Sequence, residues 1–448
     1  KNIIAYDKFD FDGKKESMYA LRPAFDTVAD MIGKGKKVPE SLLEIFAQNP
    51  EYSAKLDSLI NAKDKVPFKI FDKKNAEKLF GKNLNISASQ LEKFNLCRFS
   101  YFCNYGLNVR ERQRAEINPM QYGTIVHYIL ERFFGEYTKE EYLSLEEDKF
   151  QKIVCAYLAE YAVKYFGEEQ LESNSFTYRL RTILDNVMYL MKHIMEELSQ
   201  SEFFVADCEL KIGEDIPSFT IVLPDGHKIA VCGSVDRVDI MQRADITYLR
   251  IIDYKTGTKQ FKLSDILYGI NLQMLLYLHS IEASGGDKYG EIVPAGILYM
   301  PATVPYISSD SLKSIDKLPD ELNKKLKMNG LLLKDTEIIH GMDKTDVATY
   351  IPVKIKAGEP VSSTSLATLA EFGKIFKKVD MLIAEMGKNI YSGNIEAKPL
   401  KGGHDSCEYC PYDSVCAYRQ SNPITCFSVD NKTVIEEITN EINGKEEE

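Results

Sequence analysis

The spacing of hydrophobic positions changes twice along the chain. Up to about residue 80, short apolar clusters are broken by Gly, Pro and Lys-rich turns, and Glu40 to Ala47 after Pro39 reads as one of several short helices. From Ile86, Ser87 or Ser89 offers an N-cap and apolar and aromatic residues follow at helical spacing, which predicts a helix carrying Cys97 near its end. Long helical patterns rich in Glu, Leu, Lys and Tyr occupy about 122–136, 139–167 and 170–200. From about 203 the pattern shortens to β-type runs: Phe203 to Leu210, Phe219 to Leu223, Lys228 to Asp236 and Tyr248 to Lys255, with a Pro224-Asp225-Gly226 turn between two of them. A helix over about 264–282 and a strand around Gly296 to Met300 follow. The stretch 303–360 is polar and irregular apart from a helix at 318–327, and a helix occupies about 363–388. Beyond Cys426 the chain turns acidic and reads as a frayed tail. The expected fold class is α/β, a sheet flanked by helices.

Composition narrows the function. The 448 residues, 44% of them hydrophobic, suffice for two or three domains with a sizeable core. No apolar run approaches the roughly 20 residues that cross a bilayer, and no secretory leader is evident, so the expected compartment is the cytoplasm and no membrane partner is expected. The chain begins with Lys1 rather than Met and is expected to be a piece of a longer protein. A formal charge of −11 argues against binding nucleic acid by bulk electrostatics, so any DNA contact has to be local. Arg110, Arg112 and Arg114 are either such a contact or a solvated helix end. Nine cysteines, an odd number, do not suggest a disulfide framework.

The chemistry centres on Asp253-Tyr254-Lys255 at the end of an apolar strand. The two-residue strand period points Asp253 and Lys255 to one face, while the Tyr254 carbonyl is a possible further ligand. About 17 residues earlier, Asp236 lies on another strand, and two converging carboxylates make a hard-oxygen site suited to Mg²⁺ or Mn²⁺. Such a site can hydrolyse a phosphodiester. Gln273 and Tyr277, at i and i+4 on the next helix, share one face and either look into the site or form a helix edge. His127 is either a ligand or a satisfied core histidine. Asp239 and Glu209 are nearby acids with structural or supporting roles. Near the end of the chain, Cys407, Cys410 and Cys416 supply three thiolates in one short loop, and a tetrahedral site needs a fourth from among Cys97, Cys103 and Cys426. Such Cys₄ sites suit Zn²⁺ and an iron–sulfur cluster alike, and spacing does not separate them. Cys155, Cys208 and Cys232 read as small core residues.

Four pieces in this order, Gly123-x-x-x-His127, Gly233-x-x-Asp236-Arg237-x-Asp239, Asp253-Tyr254-Lys255 and Gln273-x-x-x-Tyr277, resemble the RecB-like branch of the PD-(D/E)XK nucleases. The resemblance implies a restriction-endonuclease-like core, a mixed central sheet flanked by helices with added helical segments. It implies Asp236, Asp253 and His127 as metal ligands, Lys255 as the catalytic lysine, and Gln273 with Tyr277 as supports for metal water or DNA. The segment from Cys97 to Leu107, with Ala76-Glu77-Lys78-Leu79-Phe80-Gly81, Gly296-Ile297-Leu298-Tyr299 and Lys327-Met328-Asn329-Gly330-Leu331-Leu332-Leu333, is similar to the AddB family of AddAB-type helicase-nucleases over about 75–427. Those proteins usually carry Cys-Pro-Phe where this chain has Cys97-Arg98-Phe99. This likeness implies Cys97 as fourth thiolate with Cys407, Cys410 and Cys416, a [4Fe–4S] cluster rather than zinc, and a clamp closing a loop of about 310 residues. It further implies a helical lead-in over 1–80 ending an upstream helicase-like region, a nuclease domain over 81–427, and an acidic tail over 428–448. The implied activity is exonucleolytic cleavage of a DNA strand delivered by a helicase in double-strand break repair, with an AddA-type helicase-nuclease as heterodimer partner. No Gly-x-x-x-x-Gly-Lys-Ser/Thr phosphate loop is present, so ATP hydrolysis is not expected from these residues.

Overall fold

The computed structural model describes residues 20–33, 36–61, 69–110, 119–167, 173–257, 260–304, 318–345, 347–362, 364–416, 418 and 423–446. Arg112 and Arg114 lie outside them. They form two compact units that meet in sequence at Lys69 and Ile70. The first contains helices α1 (Leu21–Gly33), α2 (Glu40–Gln48) and α3 (Ser53–Asn61). Its core is an aromatic trio, Phe25, Phe46 and Tyr52, with centroids 4.9–5.6 Å apart, packed with Val28 and Leu56.

The second unit begins earlier than residue 81. The Ile70 N–H donates to the Gly393 carbonyl at 2.8 Å, and the helix that follows, α4 (Lys73–Phe80), packs on a long helix near the chain's end. Next come α5 (Ala88–Leu96), α6 (Pro119–Glu136), α7 (Asn174–Gln200), α8 (Gln273–Ser284), α9 (Leu369–Tyr391) and α10 (Asn431–Glu446). The α5 start follows from its sequence, because Ser87 and Gln90 form a reciprocal capping box. Strands β1 (Asn83–Ile86), β3 (Thr220–Val222) and β4 (Lys228–Val231) make a small sheet in the order β1-β4-β3. The main sheet has six strands: β2 (Phe204–Ile212), β5 (Gly233–Arg243), β6 (Ile246–Lys255), β7 (Glu291–Pro301), β8 (Asn329–Leu333) and β9 (Leu366–Ala367). Their spatial order is β9-β8-β7-β6-β5-β2, with β6–β7 and β8–β9 parallel and the other pairs antiparallel, so the sheet is mixed as expected. Among the described residues no helix is long and apolar enough to cross a membrane.

Three expectations change. The helix over 264–282 is broken: a 3₁₀ turn, Leu263–Tyr268, ends at Gly269 with φ of 68°, and α8 starts only at Gln273. Within 303–360, β8 is an interior strand, because Gly330 to Leu333 is a short apolar run whose period does not distinguish strand from helix. The acidic end is no frayed tail, since α10 buries Val434, Ile438 and Ile442 at helical spacing and its Glu441 meets the buried Lys378 of α9 at 2.5 Å.

Candidate metal centre

Strand register places the central carboxylates. In the β2–β5 pair, Cys208 faces Arg237 and Leu210 faces Val235, and in the β5–β6 pair Arg237 faces Ile252. The same registers set Glu209 beside Asp236 and Asp236 beside Asp253, so three adjacent strands contribute one row of acids to one face of the sheet. Glu209 sits at φ of 51°, a conformation few side chains adopt. The α6 helix brings His127 over this row, with Nδ1 2.9 Å from Glu209 Oε1 and Nε2 3.6 Å from Asp236 Oδ2. One ligand atom each from His127, Glu209 and Asp236 lie within 4.8 Å of one another. The second oxygen of Glu209 accepts from Ser234 Oγ at 2.8 Å, and Asp236 Oδ2 accepts from the Tyr254 N–H at 2.9 Å.

Asp253 completes the row from β6. Its Oδ2 is 2.5 Å from Lys255 Nζ, and its Oδ1 accepts from Gln273 Nε2 at 3.1 Å. Asp253, Lys255 and Gln273 thus form a linked group beside His127, Glu209 and Asp236; the charge of Asp253 acts on Asp236 and His127, but no Asp253 oxygen joins the trio within 4.8 Å. Two tyrosines are placed differently. The Tyr254 side chain is buried, with its ring edge-on to His127 at 5.8 Å between centroids, and it meets Asp236 through its backbone N–H. The Tyr277 hydroxyl is seated on Gly233, where an added Cβ would lie 2.2 Å from it. Gly233→Ala is thus expected to force β5 and the Tyr277 ring apart, lowering stability by about 1–3 kcal/mol. A melting curve coincident with the parent's would contradict this close approach.

Burial and the neighbouring charge of Asp253 push the Asp236 carboxyl up to about 7, only partly offset by His127. Burial disfavours a charged His127 ring, but the bond from Glu209 and the charge of Asp236 outweigh it and raise its affinity for a proton. Burial acts against ionised Glu209 as well, yet its bonds to His127 and Ser234 hold its carboxyl below the usual range. Nothing in its own strand announces Glu209 as a member of the row, and only the pairing with Asp236 reveals it.

The reverse face of the same strands is a sealed charge cluster. Arg237 donates to Asp239 at 2.6 Å and to Glu197 of α7 at 3.0 Å, while Arg250 donates to Glu197 at 2.6 Å and to Asp239 at 3.0 Å. All four side chains are fully buried. Asp239 thus has the structural role expected of it, and Glu197 is the partner that the sequence does not suggest.

Several of the thiols lie near enough to act on one another by charge. Cys97 closes α5, and the Ser406 hydroxyl, beside Cys407, donates to the Leu96 carbonyl at 3.1 Å. Burial pushes the Cys97 thiol up and Cys416 adds to it, while Cys407 is raised by burial, Cys97 and Cys410 among other charges. Cys103 feels Cys416, Cys410 and Cys97 as well and belongs to the same neighbourhood. Cys426 lies apart, packed with Ile270 and Leu400, and its charged neighbours are Asp265 and Lys262.

Residues 85–417 match the family model of the PD-(D/E)XK nuclease superfamily. The chain is 30% identical to the second (B-type) component of the ATP-dependent helicase/deoxyribonuclease of Clostridium acetobutylicum over 93% of its length, covering 38% of that protein. It is 34% identical to the proteins of the same description from Thermoanaerobacter sp., over 76% of this chain and 30% of that one, and from Clostridium kluyveri, over 85% and 34%. The chain thus spans between 30% and 38% of the length of these relatives. With the matched segment holding the mixed sheet, the acid row and the thiol loop together, the chain belongs to the PD-(D/E)XK nuclease superfamily.

Proposed function

We propose that this chain is a divalent-metal-dependent deoxyribonuclease domain that hydrolyses DNA phosphodiesters from a strand end, as part of an AddB-type helicase-nuclease component working with an AddA-type partner in double-strand break repair. The observation that carries the reading is the convergence of His127, Glu209 and Asp236 ligand atoms within 4.8 Å beside the Asp253–Lys255 pair. An oxygen-rich donor set with one imidazole fits Mg²⁺ or Mn²⁺, held by Asp236, Asp253, His127 Nε2 and the Tyr254 carbonyl. Bound there, the cation supplies a Lewis acid for a phosphoryl oxygen and lowers the pKa of a water.

The chain's own groups supply orientation and charge. Glu209, with both oxygens engaged, receives the Nδ1 proton of His127 and so leaves the Nε2 lone pair facing Asp236. Gln273 fixes one oxygen of Asp253, and the Lys255 ammonium at the other orients the attacking water and offsets charge gathering on the phosphate. Cys97, Cys407, Cys410 and Cys416 hold a [4Fe–4S] cluster as a structural clamp. The likeness to the AddB family favours it over zinc, which a Cys₄ set suits equally well.

End-labelled single-stranded DNA incubated with the chain and Mg²⁺ is expected to shorten progressively, to be spared by EDTA, and to shorten again with Mn²⁺. Substrate left intact with both cations overturns the nuclease reading. Metal analysis should find about four irons per chain and little zinc; one zinc per chain overturns the cluster assignment alone.

A further inference from the structure

The start of α8 is built in a way its own sequence cannot support. Its N-cap residue is Leu272, which has no polar side chain, and the residues preceding the helix turn sharply, with Gly269 at φ of 68° and Asn271 at φ of 54°. A helix start of this kind leaves backbone donors unsatisfied. The missing cap comes from α5: Glu92 Oε1 accepts the Leu272 N–H at 2.8 Å, placing a carboxylate against the positive end of α8. One helical turn further along α5, Asn95 Nδ2 donates to the Gly269 carbonyl at 3.0 Å. Two points along α5 therefore hold the N-cap of α8 and the turn that leads into it.

What the grip holds is the next residue, Gln273, whose amide reaches Asp253 at 3.1 Å. The far end of α5 is held in turn by the cysteine loop. Ser406 bonds the Leu96 carbonyl, Cys97 caps the helix, and His404 Nε2 lies 3.9 Å from Asp265 Oδ2, the same carboxylate that bonds Asn271 in the turn before α8. Leu96 packs with Ile270, Leu400 and Cys426, so apolar contact joins the same three parts. A nine-residue helix spans about 14 Å, short enough to act as one rigid body.

We propose that α5 is a strut coupling the cysteine loop to the hydrolytic centre, with Glu92 and Asn95 as positioning residues that set Gln273 against Asp253. The proposal rests on the nuclease reading above. Neither residue bonds the acid row; Glu92 acts through the N-cap of α8 and Asn95 through the turn before it.

The test is Mn²⁺ binding to the whole chain without DNA, read from the free-ion electron paramagnetic resonance signal, together with cleavage kinetics. Asp253→Ala defines which Mn²⁺ belongs to the centre. Glu92→Ala and Asn95→Ala are each expected to weaken that Mn²⁺ about threefold to tenfold and to lower kcat about tenfold, with KM for DNA unchanged within about twofold. Glu92→Gln, which keeps an oxygen acceptor for the Leu272 N–H, should restore both values. In a Gln273→Ala background, Glu92→Ala should add little further loss, since both act through one contact. Ser406→Ala, which keeps every cysteine, should weaken Mn²⁺ about twofold.

Parental Mn²⁺ binding in Glu92→Ala, or in a folded Asn95→Ala should the first not fold, overturns the positioning role. Fully additive losses with Gln273→Ala overturn the route, and unchanged binding in Ser406→Ala removes the cysteine loop from it. Mn²⁺ binding that Asp253→Ala does not alter instead sinks the nuclease reading on which the proposal stands.

Discussion

Asp236→Asn is expected to lose at least about a hundredfold in Mg²⁺-dependent cleavage while the metal-free protein melts several degrees higher than the parent. The opposite signs have one cause. Asp236 is buried beside Asp253, and its carboxyl is raised to about 7. Between about pH 4 and 7 the folded state therefore keeps a proton that the unfolded chain has released, so stability without metal is fully present below pH 4 and falls as pH rises through 7. Ionising this buried carboxyl costs the metal-free fold roughly 2–4 kcal/mol, which the neutral amide recovers while still accepting the Tyr254 N–H. A divalent cation removes the same penalty in the parent, so Mg²⁺ should raise the parent's Tm and leave the variant's unmoved, and the parent's affinity for Mg²⁺ should weaken below about pH 7. Asp253→Ala and Lys255→Ala should lose activity on a similar scale, that of removing a principal charge-stabilising group. Lys255→Ala differs in bringing no gain in stability, because it strips the cation from Asp253. Calorimetry with and without Mg²⁺ beside single-turnover cleavage decides the matter. An Asp236→Asn protein that cuts normally, or melts lower without metal, contradicts the account.

Arg237→Ala is expected to be the most destabilising single change, costing about 3–5 kcal/mol. It leaves Asp239 and Glu197 buried against Arg250 alone, with two hydrogen bonds to Asp239 and one to Glu197 gone. Replacing Glu197, Arg237, Asp239 and Arg250 together by apolar residues of like volume should cost far less, because no charge is then left unpaired. Urea titrations of both variants measure the difference. A single variant as stable as the quadruple one would show that the cluster's charges are not coupled.

How much of this is legible in the sequence depends on the range of each determinant. Asp253-Tyr254-Lys255 is readable because a strand's two-residue period is local, and so is the α5 start, where Ser87 and Gln90 are three residues apart. The carboxylate of Glu209 is not, since its membership of the row depends on how β2 registers with β5 and on a left-handed backbone that no local pattern signals. The break before α8 is hidden because apolar spacing runs through it, while the turn is fixed by Asp265, Asn95 and Glu92 from outside the helix. The α10 helix is masked by its charge: Glu and Lys crowd its outer faces, and the few apolar residues that anchor it recur only every four positions. The four Arg and acid residues of the reverse face come from two strands and a helix some 40 residues upstream, a separation at which sequence spacing carries no geometric information.

The C-terminal end of α5 meets Ser406 only about 310 positions later in the chain. A ribosome adding roughly 5–20 residues per second needs about 15–60 s to emit that interval. The turn that Asn95 and Glu92 hold emerges 174 and 180 residues after them, and the loop that grips the far end of the strut arrives last. Synthesis order thereby delays completion of the strut until Ser406 has emerged, so translation products that stop short of it leave the helix bearing Gln273 without one of its indirect holds.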